Sequence, residues 1–248
     1  TAGNTVVLKP SEHSPNTSQL LESILSSVFK PEHLKVVQGG IPETTLLLKE
    51  RWDYIFFTGS VAVGKIIAKA AAPHLTPVTL ELGGKNPCII DATMPTALTA
   101  KRLVWGKFIN AGQTCIAPDY LLVHSSVKKQ LISDLKKEII SAYGENPQES
   151  PDYPRIINTK NLSRLTSMLE DSKVIFGGHF DATDCYLAPT LIEEPSIESN
   201  VMKEEIFGPI LPILSYTSEA DISAIVSKYE KPLGFYVFSN NASFYKKM

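Results

Sequence analysis

Three cysteines in 248 residues, none of them in a C-x-x-C pair, are too few and too odd in number for a disulfide framework, which makes a reducing compartment the default. His13, His33, His74, His124 and His179 show no H-E-x-x-H or other ligand spacing, so no metal site is expected. No apolar run approaches the roughly 20 residues of a membrane span. A formal net charge of −2 leaves no basic excess for a nucleic-acid partner. The G-x-G-x-x-G fingerprint of ordinary dinucleotide-binding turns is missing too. What remains is the composition of a soluble globular chain, 43% hydrophobic and 20% charged, long enough for one large or two modest domains.

Short β-rich runs alternate with helical ones through the first third. Thr5–Leu8, Lys35–Gln38, Tyr54–Phe57 and Val78–Leu82 read as strands, and Ser18–Phe29, Glu43–Lys49 and Ala62–Ala72 as helices. That alternation predicts βαβ units and a parallel sheet, with the Pro10-Ser11 and Gly59-Ser60 turns at strand C-terminal ends, where open α/β sheets bind ligands. A second α/β unit follows. Strands are expected over Asn86–Asp91, Asp119–Val123, Lys173–Phe176, Ile210–Leu214 and Phe235–Ser239. Helices are expected over Pro95–Ile109, over an amphipathic run from Val127 to Tyr143 and over Glu219–Tyr229, with Tyr143–Pro154 as a loop. Lys128, Lys129, Lys136 and Lys137 form the solvated face of the second of these helices.

Two stretches carry chemistry. Asn110-Ala111-Gly112-Gln113-Thr114-Cys115 sets one cysteine in a small polar turn between apolar runs, and Leu80-Glu81-Leu82-Gly83-Gly84-Lys85 sets one carboxylate on a strand that ends at paired glycines. A thiol nucleophile and a carboxylate base are what covalent catalysis on a carbonyl requires. A buried inert thiol and a solvated strand glutamate have the same local sequence. The run Gly59-Ser60-Val61-Ala62-Val63-Gly64-Lys65-Ile66 nearly matches the G-x-x-x-x-G-K-[ST] phosphate loop, but Ile66 offers no hydroxyl to a magnesium ion. Two readings stay open there: a tight turn with glycine at positive φ, or a helix N-terminus presenting N–H groups to a pyrophosphate.

With these stretches, Gly3-Asn4-Thr5-Val6-Val7-Leu8-Lys9-Pro10-Ser11-Glu12, Phe57-Thr58-Gly59-Ser60, His74 through Lys85 and Glu204-Glu205-Ile206-Phe207-Gly208-Pro209 stand in an order that resembles the aldehyde dehydrogenases, and among them the class 3 branch acting on fatty and aromatic aldehydes. The resemblance runs nearly end to end. It implies a Rossmann-like coenzyme domain, part of which is residues 1–82, followed by a C-terminally truncated catalytic domain over 83–248. It also implies an NAD cofactor, with NADP accepted by many class 3 members, and no metal.

Residue by residue, Cys115 matches the family nucleophile and Glu81 the general base. Lys9 and Glu12 match residues that bind the adenosine ribose, Gly59 and Ser60 stand at the pyrophosphate, and Glu205 and Phe207 match the pair at the nicotinamide. A carboxylate at Glu12 accepts from a 2′-hydroxyl and repels a 2′-phosphate, which favours NAD. Lys9 and Glu12 read equally as a solvated pair, and Glu205 and Phe207 as a helix-terminal charge and a core aromatic.

The reaction so implied is oxidation of a medium or long aliphatic or aromatic aldehyde to the acid. Transfer of the acyl group to coenzyme A and an inactive dinucleotide-binding homologue are the alternatives. Without a start methionine or a closing turn, the chain reads as an internal fragment, lacking one oxyanion donor and the segments that complete the substrate tunnel, and weak or dead alone. A cytoplasmic homodimer is expected of the full-length protein, with attachment to a membrane through a missing tail left open. Cys88 is expected in a buried strand and Cys185 in a loop, both without a chemical role.

Overall fold

The computed structural model describes residues 2–248, and these divide into two compact units, 2–81 and 82–248. In the first, β1 (Val6–Leu8), α1 (Pro15–Val28), β2 (Leu34–Val36), α2 (Ile41–Leu47), β3 (Ile55–Thr58), α3 (Val61–Ala71) and β4 (Val78–Glu81) follow one another. β1 pairs with β2 and β3 with β4, both parallel, each pair bridged by one helix as a parallel pair requires. The expected elements are all present, with ends displaced by no more than three residues. α1 begins earlier than its apolar periodicity indicates because Pro15 occupies its first turn, where a missing N–H costs nothing.

The second unit is built on a six-stranded sheet. Its elements are β5 (Pro87–Ile90), α4 (Thr96–Phe108), β6 (Tyr120–His124), α5 (Ser125–Tyr143), α6 (Thr159–Ser167), β7 (Val174–Phe176), β8 (Phe180–Asp181), β9 (Tyr186–Leu187), β10 (Thr190–Glu193), α7 (Asn200–Lys203), β11 (Ile210–Tyr216), α8 (Glu219–Val226), β12 (Tyr236–Phe238) and α9 (Ala242–Lys247). The strand order is β12-β5-β6-β11-β10-β7, parallel except for β7, while β8 and β9 form a separate hairpin. Strand side chains alternate between two cores. Cys88, Ile90, Leu121, Val123, Leu211 and Ile213 face α4 and α5; Ile89, Tyr120, Leu122, Ile210 and Leu214 face α6 and α8. Both faces being covered explains why these strands read as continuous apolar runs.

α4 has an unusual division. Thr99, Ala100, Leu103, Val104, Lys107 and Phe108 recur at helical spacing and are buried, which puts Lys107 inside the apolar stripe. The opposite side carries the exposed Leu98 and Trp105 with Lys101 and Arg102 between them, and the exposed Ile109 follows the helix directly. On α5, Lys128 departs from the expected solvated face: its ammonium lies 3.1 Å from Glu193 and 2.7 Å from Glu194 across the sheet edge.

Candidate active site

In the first unit the expected cofactor residues gather at strand C-terminal ends. Lys9 directly follows β1; its Nζ donates to the carbonyls of Gly39 at 2.7 Å and Pro10 at 3.0 Å and stands 3.4 Å from the Glu12 carboxylate. Hydrogen bonding to backbone and the nearby ammonium hold the Glu12 carboxyl below its usual range against partial desolvation. Gly59 follows β3, and its N–H donates to the Glu81 carbonyl at 3.0 Å, which ties the Gly59-Ser60 turn to the end of β4. Ser60 caps α3, its hydroxyl accepting from the Val63 N–H at 3.4 Å. Gly59 is not at positive φ, so of the two readings of this turn the strained-glycine one is corrected. Glu81 is the exposed last residue of β4.

The second unit carries Cys115, Glu205 and Phe207, and the turns that hold them meet where Gly112 lies against Gly208. Cys115 is exposed, whereas Cys88 is buried in β5 and Cys185 is partly buried in the β8–β9 turn. Burial in an apolar core pushes the Cys88 thiol far up, which leaves it inert. The turn leading to Cys115 passes through three successive left-handed residues, Asn110 (φ 53°), Ala111 (φ 51°) and Gly112 (φ 72°). Asn tolerates that region and Gly prefers it, but Ala111 is held there only by its surroundings. A Cβ on Gly112 would fall 2.2 Å from the Gly208 carbonyl oxygen, so this glycine also allows the cysteine turn to lie against the Glu205–Gly208 segment.

Gln113 staples the same turn to a neighbouring segment. Its amide donates to the carbonyls of Asn110 and Arg155, both at 3.1 Å, and accepts from the Ile157 N–H at 2.9 Å. The Glu205 carboxylate packs on Gly83, where any Cβ would come within 1.9 Å of it, and desolvation raises its pKa despite a hydrogen bond from the Gly84 backbone. Phe207 (φ 45°) is 42% exposed, which corrects the core-aromatic reading.

Beneath lies a buried charge cluster. Lys85 Nζ contacts Asp119 at 2.5 Å and donates to the Val201 carbonyl at 2.8 Å, and Asp119 accepts from the Ile206 N–H at 2.9 Å. The fully buried Lys107 has no hydrogen-bond partner among the described residues; desolvation lowers its pKa to about 8, with Asp119 only partly offsetting that loss. Asn86, Gln113, Lys107, Asp119 and Tyr236 were not expected as site residues. Asn86, expected as the first residue of a strand that begins instead at Pro87, and Lys85 carry a signal only as polar residues at the edge of an apolar run.

A groove of about 1020 Å³ opens beside Cys115, walled by Leu98, Trp105, Ile109, Thr114, Ile116 and Tyr236. Thr114 and Ile116 are the immediate neighbours of the thiol, and the other walls come mainly from the exposed face of α4. Among the described residues no cluster of His, Cys, Asp or Glu could hold a metal ion, and no helix is long and apolar enough to cross a membrane.

Fold and site define a class: an α/β protein of two units in which one exposed thiol sits on a strained turn beside an apolar groove. The chain belongs to the aldehyde dehydrogenase family, whose model matches residues 1–248, and it is class 3-like. It is 49% identical over 247 residues to the dimeric NADP-preferring aldehyde dehydrogenase of Canis lupus familiaris, covering 100% of this chain and 54% of that one. To aldehyde dehydrogenase family 3 member A2 of Pongo abelii it is 48% identical, over 100% of this chain and 51% of the relative. The solved substrate-bound state of Staphylococcus aureus AldH superimposes with a TM-score of 0.96 at 46% identity, over 99% of this chain and 54% of that structure. The chain thus spans about half the length of the curated relatives it matches.

Proposed function

We propose that the protein containing this chain oxidises apolar aldehydes to carboxylic acids with NAD or NADP, using Cys115 as nucleophile and Glu81 as general base. The observation that carries the reading is the exposed Cys115 thiol, set between groove-lining Thr114 and Ile116 while the other two thiols are wholly or partly withdrawn. Leu98, Trp105 and Ile109 offer an apolar chain a surface worth about 25 cal/mol per Å² buried. That supports aliphatic or aromatic aldehydes over small polar ones.

The residues present fit a dinucleotide. The first N–H groups of α3 have no intrahelical acceptor and suit a pyrophosphate; Lys9 and Glu12, beside the Gly39 backbone, suit an adenosine ribose; Glu205 and Phe207 suit the nicotinamide end. Because Lys9 partly neutralises Glu12, a 2′-phosphate meets less repulsion than a free carboxylate would give, which supports use of NADP alongside NAD.

Bound nicotinamide supplies the hydride acceptor. The Cys115 thiolate adds to the aldehyde carbon, the carbonyl π pair moves to oxygen, and a hemithioacetal forms. Loss of hydride from that carbon leaves a thioester on Cys115. Glu81 takes a proton from water, the hydroxide adds to the thioester, and the thiolate leaves as the acid is released. The canine relative is named as dimeric, which supports a dimer for the full-length protein.

The reading is tested by following NADH and NADPH appearance with aldehydes of graded length in the full-length protein. Turnover should rise from short to longer apolar chains. Glu81→Gln should keep a single-turnover burst of reduced cofactor while steady-state turnover falls by about 10²–10⁴-fold. Loss of the burst itself would reassign Glu81 to activation of the thiol. Acyl-coenzyme A appearing in place of acid when coenzyme A is added would select the acylating alternative.

A further inference from the structure

The three carbonyls that begin at the cysteine all accept hydrogen bonds from side chains remote in sequence. Asn86 Nδ2 donates to the Cys115 carbonyl at 2.8 Å and to the Ala117 carbonyl at 3.0 Å, and the Tyr236 hydroxyl donates to the Ile116 carbonyl at 2.6 Å. Asn86 Oδ1 accepts from the Gly234 N–H at 2.8 Å, and the Asn86 main-chain carbonyl accepts from the Asp119 N–H at 2.9 Å. The orientation of this amide follows from its neighbours: two carbonyls face the NH₂ and one N–H faces the oxygen, so the flipped amide would oppose like groups at all three contacts.

Asn86 is 1% exposed, and its position comes from the sheet. Cys88 on β5 stands opposite Tyr236 on β12, so Asn86 and Gly234 each lie two residues before that pair. The side chain of Asn86 takes up there what the ladder has not yet begun to pair. The same two strands thereby deliver both clamps to one turn.

In a trans peptide the C=O and N–H point to opposite sides. With the Cys115 carbonyl turned to Asn86, the Ile116 N–H faces the other way. With the Thr114 carbonyl accepting the Ala117 N–H at 3.0 Å, the Cys115 N–H points out of the turn. Fixing these carbonyls therefore fixes both the N–H of the cysteine and the Cα that carries its sulfur. Upstream, Ala111 stands at φ 51°, a conformation that an alanine keeps only where its surroundings impose it.

We propose that Asn86 and Tyr236 are positioning residues for Cys115, holding its main chain so that sulfur and N–H keep one orientation toward the aldehyde carbonyl. This rests on Cys115 being the nucleophile. A misplacement of about 1 Å at a reacting atom can cost about a hundredfold in rate, whereas Asn86 does not line the groove and the ring of Tyr236, not its hydroxyl, forms the wall.

The test uses the full-length protein and its Asn86→Ala, Tyr236→Phe and Cys115→Ser variants. Melting temperature, the fraction of sites labelled by iodoacetamide, and the single-turnover rate of reduced-cofactor formation at saturating aldehyde are measured for each. The expected result is a hydride-forming rate per labelled site lowered by about 10–100-fold in Asn86→Ala and several-fold in Tyr236→Phe, with aldehyde KM changed less than twofold. A merely structural role would instead lower the labelled fraction and the melting temperature and leave the rate per site intact, which would overturn the proposal. If Asn86→Ala does not fold, Tyr236→Phe decides alone, since a phenyl ring keeps the groove wall and removes only the hydroxyl. Reduced cofactor still produced by Cys115→Ser would sink the nucleophile reading; a dead Cys115→Ser beside unchanged rates per site in the other two would sink only the positioning role.

Discussion

The two units present opposite edges of their sheets. In the first, Lys9, Gly59 and Glu81 stand at or just after the ends of β1, β3 and β4, the C-terminal edge where parallel sheets commonly bind ligands. In the second, Gly83 to Asn86, Cys115 to Asp119, Glu205 to Gly208 and Gly234 all precede their strands, β5, β6, β11 and β12. Turns at the first edge are made locally: Ser60 caps the helix that starts beside it. Turns at the second are assembled from residues far apart in sequence, such as Asn86 with Cys115 and Gly234. A helix N-terminus needs only its own backbone to receive an anion, whereas a nucleophile needs its orientation imposed from outside.

The sharpest test of the thiol edge is Cys115→Ser. A hydroxyl is a far weaker nucleophile than a thiolate, and hydride formation should fall by at least about a thousandfold. Cys88→Ser probes the sheet behind it. Placing a hydroxyl in that apolar core should cost about 1–3 kcal/mol in urea unfolding while leaving the rate per folded molecule near that of the parent. Equal losses of rate in the two variants would erase the distinction between them.

Gly112→Ala comes next. The new methyl would have to share the left-handed region with Asn110 and Ala111 and would collide with the Gly208 carbonyl. Strain of about 1–3 kcal/mol is expected before the clash is counted. Because the turn is held from afar, amide exchange should quicken around residues 86, 157, 206 and 234 together. Exchange confined to residues 110–117 would show that the turn is as local as the one at Ser60.

Much of this was legible in the chain. The βαβ rhythm and the buried strands Cys88–Ile90 and Tyr120–Val123 follow from period and run length, and the cysteine turn follows from its small polar residues. α6 was not anticipated because only Leu162 and Leu165 mark its apolar side, although Asn158, which caps it, was a usable signal. β10 hides in the four residues after Pro189, too short for its alternation to register. The clamps from Asn86, Gln113 and Tyr236 could not be read at all, since contacts over 29, 42 and 120 residues depend on strand order. Ala111 at positive φ has no sequence signal, because alanine does not favour that conformation.

At the C-terminal edge the effects should be smaller and separable. Glu12→Gln removes a charge whose partner Lys9 stays anchored to Gly39, so the freed ammonium would then attract a 2′-phosphate. The ratio of kcat/KM for NADP over NAD should rise several-fold, about what one exposed charge contributes at high dielectric. An unchanged ratio would place the ribose elsewhere.

Ser60→Ala is the smallest change and bears most directly on the contrast. It removes the hydroxyl that accepts from Val63 N–H and leaves that donor to water, a loss of about 1 kcal/mol for α3. The backbone N–H groups of the first turn survive the substitution, so dinucleotide binding should weaken only about two- to fivefold, in proportion to the frayed fraction of the helix. Hydrogen exchange should quicken over residues 61–64 and nowhere in Leu82–Met248, because the cap is satisfied within its own turn. If exchange also changes at Gly59 and Glu81, whose N–H and carbonyl are bonded, the cap helps to hold the β3–β4 edge, and the local character assigned to this turn must extend to the strands that carry it.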